Sequence, residues 1–297
     1  MSAVVSTRDE MLSYLISTAK KIGFELVPSM GASSFFDIML KKKILYFIKI
    51  LEDADSLTFE QSYGLRSLAG LFLGESFVIA SRSGQNQLEN NTVYIRYEMP
   101  VVTPETFIEF LKDNMIFAIK FKKKMFELDA KKLRRLRKEM KLSYSSLAKS
   151  LSISKETLYC YEHEKCRATE ENIKKLEEFF GEPLKVAYTP QFLSIKDAIK
   201  TKFFSLEFIV SAKPFKMANR IDGSIISISF INDRRTAKKE ALFLQDVKRL
   251  SNELEPAFFK DSTRAETYNG ISVLNSEDML NATSHATLLS IIREKRA

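Results

Sequence analysis

Apolar residues change their spacing at Asp129. Before that point the chain runs in short strand-like stretches, and from Asp129 to Gly181 the spacing is helical. Leu133, Leu136 and Met140 make one apolar stripe, with Lys and Arg on the opposite face. Ser143 is placed to cap a short helix ending at Leu151, and Ser152-Ile153 gives a tight turn. Ser154 can cap a second short helix, Lys155 to Glu162, with Leu158 facing inward. A last helix runs from about Thr169 to Phe180 and is stopped by Gly181 and Pro183. The 297 residues therefore divide into a helical middle with an α/β region on each side.

The charge follows the same division. Between Lys120 and Lys141 stand eleven basic residues against Glu127, Asp129 and Glu139, a local charge of +8. The whole chain is also +8, so the remainder holds 35 basic and 35 acidic residues and is neutral. Most charge runs end as a solvated helix face. Concentration of the whole net charge in one segment points instead to a polyanion partner.

Several classes are excluded. The nine glycines make no G-x-G pair and no phosphate loop, and there is no H-E-x-x-H or G-x-S-x-G. Two cysteines exclude a secreted disulfide scaffold, and Met1 to Glu10 lacks the layout of a signal peptide. The most apolar stretch, Leu68 to Ala80, is interrupted by Glu75 and is too short to span a bilayer. A cytoplasmic protein without membrane contact is expected. Cys160, His163 and Cys166 offer three soft ligands without a fourth, so neither a metal nor another cofactor is expected.

The central segment resembles the Cro/C1-type helix-turn-helix family. The similarity rests on Leu133, Arg137, Leu142-Ser143, Leu147-Ala148, Ile153-Ser154 and Tyr161-Glu162. In that family the second short helix enters the DNA major groove. The resemblance makes Ser154, Lys155, Glu156 and Thr157 the groove-facing start of that helix, with Cys160 one turn on. Arg134, Arg137 and Lys138 supply further contacts. Tyr144 stands where the family has Gln, and Ser152 where it has Gly. By chemistry alone, Lys155 can donate to guanine and Glu156 can accept from cytosine, while Ser154 and Thr157 can reach phosphates or bases.

The flanks read as two copies of one unit. "FELVPSMGASSFFDIMLKKKILYFIKILED" is echoed by "LEFIVSAKPFKMANRIDGSIISISFIND", the helix over Leu57–Leu73 by Ala237–Leu250, and "YEMPVVTPETFI" by "NGISVLNSEDML". Two unrelated α/β domains would be the alternative, but the shared endings favour duplication. Asp37, Phe47 and Lys49 lie where archaeal junction resolvases and restriction endonucleases carry an Asp and then an E-x-K. The N-terminal copy thus resembles that metal-dependent nuclease core with phenylalanine in the glutamate position. The C-terminal copy offers Lys216 and no acid-x-lysine. A lone carboxylate orients Mg²⁺ poorly, so Asp37 and Lys49 are expected to form an ion pair near the sheet's edge.

As a whole the chain is similar to an archaeal family of Cro/C1-type transcriptional regulators. The expected organisation is a degenerate nuclease-like α/β domain (1–113), a hairpin or connector (114–128), a helix-turn-helix bundle (129–185) and a second nuclease-like α/β domain (191–297). The hairpin can be a basic wing or a plain connector. Tyr188-Thr189-Pro190 is read as a hinge, and the tail from His285 as a peripheral helix. The expected function is a nucleoid-associated regulator that binds double-stranded DNA as a homodimer and is not an enzyme. The flanking domains serve dimerisation or extra DNA contact. The alternatives are a Mg²⁺-dependent nuclease using Asp37, Lys49 and a carboxylate such as Glu10 or Glu52, and an adaptor that binds the transcription machinery.

Overall fold

The structure, a computed structural model, describes residues 7–31, 34–120, 123–190, 200–210, 215–231, 233–261 and 267–296. It opens with α1 (Arg8–Lys21), started by a capping box in which Thr7 and Glu10 satisfy each other's backbone amides. Strands β1 (Glu25–Pro28), β2 (Ile38–Lys41) and β3 (Leu45–Asp53) follow, then α2 (Phe59–Leu71) and β4 (Glu75–Ser83). Gly74 permits the tight passage from α2 to β4, because a Cβ there would lie 2.4 Å from the Leu45 carbonyl oxygen. β5 (Asn86–Gln87), β6 (Thr92–Arg96), β7 (Met99–Val102) and α3 (Pro104–Leu111) complete the N-terminal unit. Its sheet runs β1-β2-β3-β4-β7-β6, with β3, β4 and β7 parallel. Helices α1 and α3 cover one face over Phe77 and Ile79, while α2 lies on the other over Phe47 and Val78.

The chain turns at Tyr97 and Glu98, and Met99–Val102, within the echoed YEMPVVTPETFI segment, pairs in parallel with β4.

The expected hairpin is a continuation of this sheet. β8 (Ala118–Lys120) pairs in parallel with β6 and antiparallel with β9 (Lys124–Leu128). Lys120 and Lys124 both reach the Glu89 carboxylate, at 2.7 and 3.4 Å. The helical bundle is α4 (Ala130–Glu139), α5 (Tyr144–Leu151) and α6 (Lys155–Glu162), then β10 (Ala168–Thr169), α7 (Glu170–Phe180) and β11 (Lys185–Val186). Both β10 and β11 pair with β9, so the bundle is laced to the sheet by backbone hydrogen bonds. Tyr188, read as part of a hinge, is fastened down. Its N–H donates to the Ile116 carbonyl at 2.7 Å, and its ring packs against the core beneath α1 and α3.

The C-terminal unit contains β12 (Lys200–Phe203), β13 (Leu206–Val210), β14 (Met217–Ile221), β15 (Ser224–Phe230), α8 (Arg234–Leu250) and β16 (Leu254–Phe259). It ends with β17 (Thr267–Tyr268), β18 (Ile271–Leu274), α9 (Ser276–Asn281) and α10 (His285–Glu294). Its sheet order is β12-β13-β14-β15-β16-β18-β17, with β15, β16 and β18 parallel. α10 is no peripheral helix: Leu288 and Ile292 are fully buried, and the Ser272 hydroxyl donates to the Ile292 carbonyl at 2.6 Å. His285 is half-buried, with Nε2 donating to the Glu207 carbonyl at 2.7 Å.

Strand register matches the two units residue by residue. Tyr46 faces Glu75 across β3 and β4, and Ile226 faces Glu255 across β15 and β16. Thr103 and Asn275 cap the closing helices, one residue after Val102 and Leu274 in the matched parallel strands. On this register Phe47 and Lys49 correspond to Ser227 and Ser229, and Asp37 corresponds to Lys216.

The units also pack on each other reciprocally. Phe36, just ahead of β2, lies 6.3 Å from Phe243 of α8, and Phe215, just ahead of β14, lies 5.4 Å from Phe72 at the end of α2. Lys41 Nζ donates to the Leu250 carbonyl at 2.7 Å, and the matched Arg220 donates to the Leu71 carbonyl at 3.1 Å. One apolar cluster runs through both units. This is the self-complementary geometry of a twofold dimer, realised within one chain.

Candidate nucleic-acid interface

The helical bundle closes over Leu133, Leu147, Leu151, Leu158, Ile173 and Leu176, the residues that carry its helical spacing. Ser143 and Ser154 accept the backbone amides of Ser146 and Thr157, at 3.0 Å each, and so fix the starts of α5 and α6. Ser152 takes the left-handed conformation (φ 53°, ψ 44°) that the turn requires and that glycine would adopt more easily.

An ion pair sets the angle between α4 and α6. Arg137 grips Glu162 with two parallel hydrogen bonds, Nε to Oε1 at 2.5 Å and Nη2 to Oε2 at 2.9 Å. Its Nη1 donates to the Leu142 carbonyl at 2.9 Å. The Tyr144 hydroxyl donates to Glu162 Oε2 at 2.8 Å, and the Arg137 guanidinium lies 4.1 Å from the centre of the Tyr144 ring. Burial works to raise the Glu162 carboxyl, but these hydrogen bonds and the charges of Arg137 and Arg134 outweigh it and hold the carboxyl below its ordinary range. The bond to Glu162 likewise raises Arg137.

This lock corrects two expectations. Arg137 is buried with its guanidinium committed inside the bundle, and Tyr144 is turned inward onto Glu162. Both side chains are engaged within the bundle, Arg137 buried and Tyr144 half-buried. Arg134 keeps one foot in the lock, its Nη2 donating to the Glu162 carbonyl at 2.8 Å, and leaves 42% of its side chain exposed. Lys138 is exposed. Lys131, Arg134, Arg135 and Lys138 line an open cleft of about 610 Å³ that ends at the exit of α6.

On α6 the solvent-facing stripe is Lys155, Glu156, Tyr159 and, at the exit, His163. The side chains of Lys155 and Glu156 make no hydrogen bond or ion pair among the described residues. Ser154 and Thr157 bond to each other through their hydroxyls at 2.8 Å, and Cys160 is half-buried. Tyr159 escaped the sequence reading, because an aromatic at helical spacing is usually core. It is 42% exposed, stacked on His163 at 3.9 Å and overlain by Lys165 at 5.0 Å. Cys166 lies at the α6 exit, where burial and the neighbouring Cys160 push its thiol up.

In the N-terminal unit Asp37 and Lys49 do meet, at 3.4 Å, but not at an edge and not alone. β3 lies between β2 and β4, both residues are buried, and Arg8 of α1 reaches the same Asp37 oxygen at 2.7 Å. The second Asp37 oxygen accepts the Ile50 amide at 2.6 Å. Phe47, in the glutamate position, packs edge-on against Phe36 at 5.5 Å and beside Phe72 at 5.4 Å in the cluster shared with the C-terminal unit. Glu10 closes the capping box, and Glu52 accepts the Arg8 amide at 3.2 Å. No three acidic, histidine or cysteine side chains converge on a metal position among the described residues. No helix among them is long and apolar enough to cross a membrane.

Residues 8–116 match the family model described as a PD-(D/E)XK superfamily domain, and residues 133–186 match one described as a helix-turn-helix. Archaeal proteins each named "Putative HTH-type transcriptional regulatory protein" are similar over nearly the full length. The one from Methanothermobacter thermautotrophicus is 28% identical, covering 97% of this chain and 97% of that protein. The one from Methanocaldococcus jannaschii is 24% identical, covering 96% of each. The one from Thermoplasma acidophilum is 26% identical, covering 98% of each. The chain thus joins a nuclease-like N-terminal unit to a central helix-turn-helix, and its relatives are archaeal proteins of the HTH regulator type.

Proposed function

We propose that the chain is a transcriptional regulator that reads duplex DNA through the exposed stripe of α6. Its two flanking units, 1–113 and 191–297, do not cut the DNA. The observation that carries this reading is the state of Lys155 and Glu156, exposed and unengaged on the first turn of a helix whose angle is fixed by the Arg137–Glu162 lock. Lys155 offers a donor to guanine and Glu156 an acceptor to cytosine, and Tyr159 can lie against a thymine methyl. Arg134 and Lys138 provide phosphate contacts, while Ser154 and Thr157 shape the helix start. Residues 114–128 join the reading module, 129–185, to the N-terminal unit.

The test is duplex binding against salt. With about five to seven phosphate contacts, log K falls with log salt at a slope of about −4 to −6. Lys155→Ala costs about 1–3 kcal/mol on the preferred site and relaxes its sequence preference. A flat salt response, or equal loss on random DNA, removes the reading.

One helix-turn-helix covers only a few base pairs, so the reading includes a homodimer on two half-sites about one helical turn apart. The apolar face shared by Phe36 and Phe215 is already filled within the chain, which puts the contact between copies elsewhere. Sedimentation as a monomer at micromolar concentration, free and on DNA, ends the dimer reading.

The nuclease alternative retains Asp37 and Lys49, but both Asp37 oxygens accept hydrogen bonds from the protein, and Phe47 fills the place of the second carboxylate. Supercoiled plasmid and four-way junctions are expected to survive Mg²⁺ or Mn²⁺. Cutting that is lost in Asp37→Ala, with the fold retained, reinstates the enzyme.

A further inference from the structure

The first two turns of α8 carry Arg234, Arg235, Lys238 and Lys239, all exposed and without an ion pair among the described residues. Their i, i+1, i+4, i+5 spacing gathers them on one face. Outside the segment ending at Lys141 the chain is neutral in sum, so acidic residues elsewhere balance this second group.

Among the described residues, only the N-cap Asp233 attracts one of these cations, Arg235. The N-terminus of a helix is the positive end of its dipole, so Arg234 and Arg235 on the first turn are disfavoured there. Arg234 with Lys238 and Arg235 with Lys239 are like-charge i, i+4 pairs, which add to the cost. The one acidic neighbour on the helix start, Asp233, is the N-cap, and its carboxylate accepts the Thr236 amide at 2.8 Å. Glu240, the next carboxylate along the helix, is buried on the opposite side. The helix start is also held in place: Ala237 is buried, and the Tyr268 hydroxyl donates to the Arg234 carbonyl at 3.0 Å.

The matched helix of the N-terminal unit shows that the fold does not require this charge. α2 begins with Phe59 and Glu60 after its Thr58 cap, and its first cation, Arg66, is buried against Glu98. Four exposed cations on one rigid face, none in an ion pair among the described residues, fit an external polyanion.

We propose that this face of α8 is a second DNA-binding surface, which grips the phosphate backbone of duplex DNA beside the segment read by α6. The proposal rests on the DNA-binding reading above, since DNA is the polyanion that the helix-turn-helix would bring to the chain. The contact is to phosphates and carries no base preference.

The experiment compares the full-length protein with the variant Arg234→Gln, Arg235→Gln, Lys238→Gln, Lys239→Gln on a duplex of about six helical turns centred on the preferred site. A charge-preserving variant (Arg234→Lys, Arg235→Lys, Lys238→Arg, Lys239→Arg) serves as control, and equal Tm values for all three show that the fold is intact. Each lost phosphate contact removes about 0.9 from the slope of log K against log salt, so the glutamine variant is expected to be shallower by about 2 to 4. The control should keep the full slope, and the glutamine variant should keep its preference for the α6 site. An unchanged slope in the glutamine variant overturns the proposal. So does a variant that loses single-stranded RNA while its duplex slope is unchanged, which assigns the face to RNA. If the wild-type protein itself shows no salt-dependent duplex binding, the reading of α6 fails first.

Discussion

In the N-terminal unit Glu75 opens β4 buried, with Oε2 lacking any hydrogen-bond partner among the described residues. In the C-terminal unit Glu255 stands at the matched position of β16, and its carboxylate is reached by Lys248 at 2.6 Å, Arg293 at 3.3 Å and Arg296 at 2.5 Å. The same strand position therefore titrates in opposite directions. Burial raises the Glu75 carboxyl to about 7, whereas the bonds from Lys248 and Arg296 overcome burial and hold Glu255 below its ordinary range. The nuclease positions diverge in the same manner, from Asp37, Phe47 and Lys49 to Lys216, Ser227 and Ser229. Two copies of one topology have settled their buried charges independently, which a frame held by apolar packing allows.

The contrast can be broken first at Asp37. Asp37→Ala leaves Lys49 buried without its carboxylate and should cost about 3–5 kcal/mol. Lys216→Ala, at the matched and partly exposed position, should stay within about 0.5 kcal/mol. Equal losses in denaturant melts would mean that the two sites are not different in kind.

A smaller effect with the opposite sign is expected at Glu75. Between pH 4.5 and 7 the folded protein holds a proton on Glu75 that the unfolded chain has lost, so this residue makes stability fall as pH rises through that window. Glu75→Gln should raise stability at pH 8 by up to about 3 kcal/mol and change little at pH 4. A destabilised variant at pH 8 would show that the carboxylate has a partner.

Glu255→Gln sharpens the comparison. Its folded-state carboxyl is depressed, so its contribution is complete above the unfolded value and is lost as pH falls through the folded one. The substitution should cost about 2 kcal/mol at pH 7, with the difference vanishing in acid. Stability curves for the two variants that run parallel in pH would contradict the assignment.

Much of this architecture was legible from residue order. Serine and threonine caps marked the helical bundle, and the shared endings of the flanks marked their common element order. The turn ahead of Met99–Val102 was not legible, because it rests on Tyr97 and Glu98 at φ 48° and 60°, a conformation usually announced by Asn or Gly. The matched turn in the C-terminal unit is Asn269-Gly270, both also at positive φ. Lys49 and Asp37 could be paired from their strand positions. Arg8 could not be added, since no periodicity links a residue on α1 to one ahead of β2. At the candidate interface the helix start was readable from its Ser154 cap. The inward turn of Arg137 and Tyr144 depends on Glu162, whose burial only the packed bundle decides. Tyr159 has the spacing of a core residue and the exposure of a contact.

β9 carries a further consequence, since it pairs with β8 of the N-terminal sheet and also with β10 and β11 of the bundle. A linker would let the reading head melt or swivel independently, but a shared ladder makes the two regions one opening unit. Free energy gained where DNA meets α6 should then appear as slower amide exchange in β6 and β8, on the far side of the sheet from the ligand. Exchange rates there that stay unchanged on a saturating operator would show that the lacing is local.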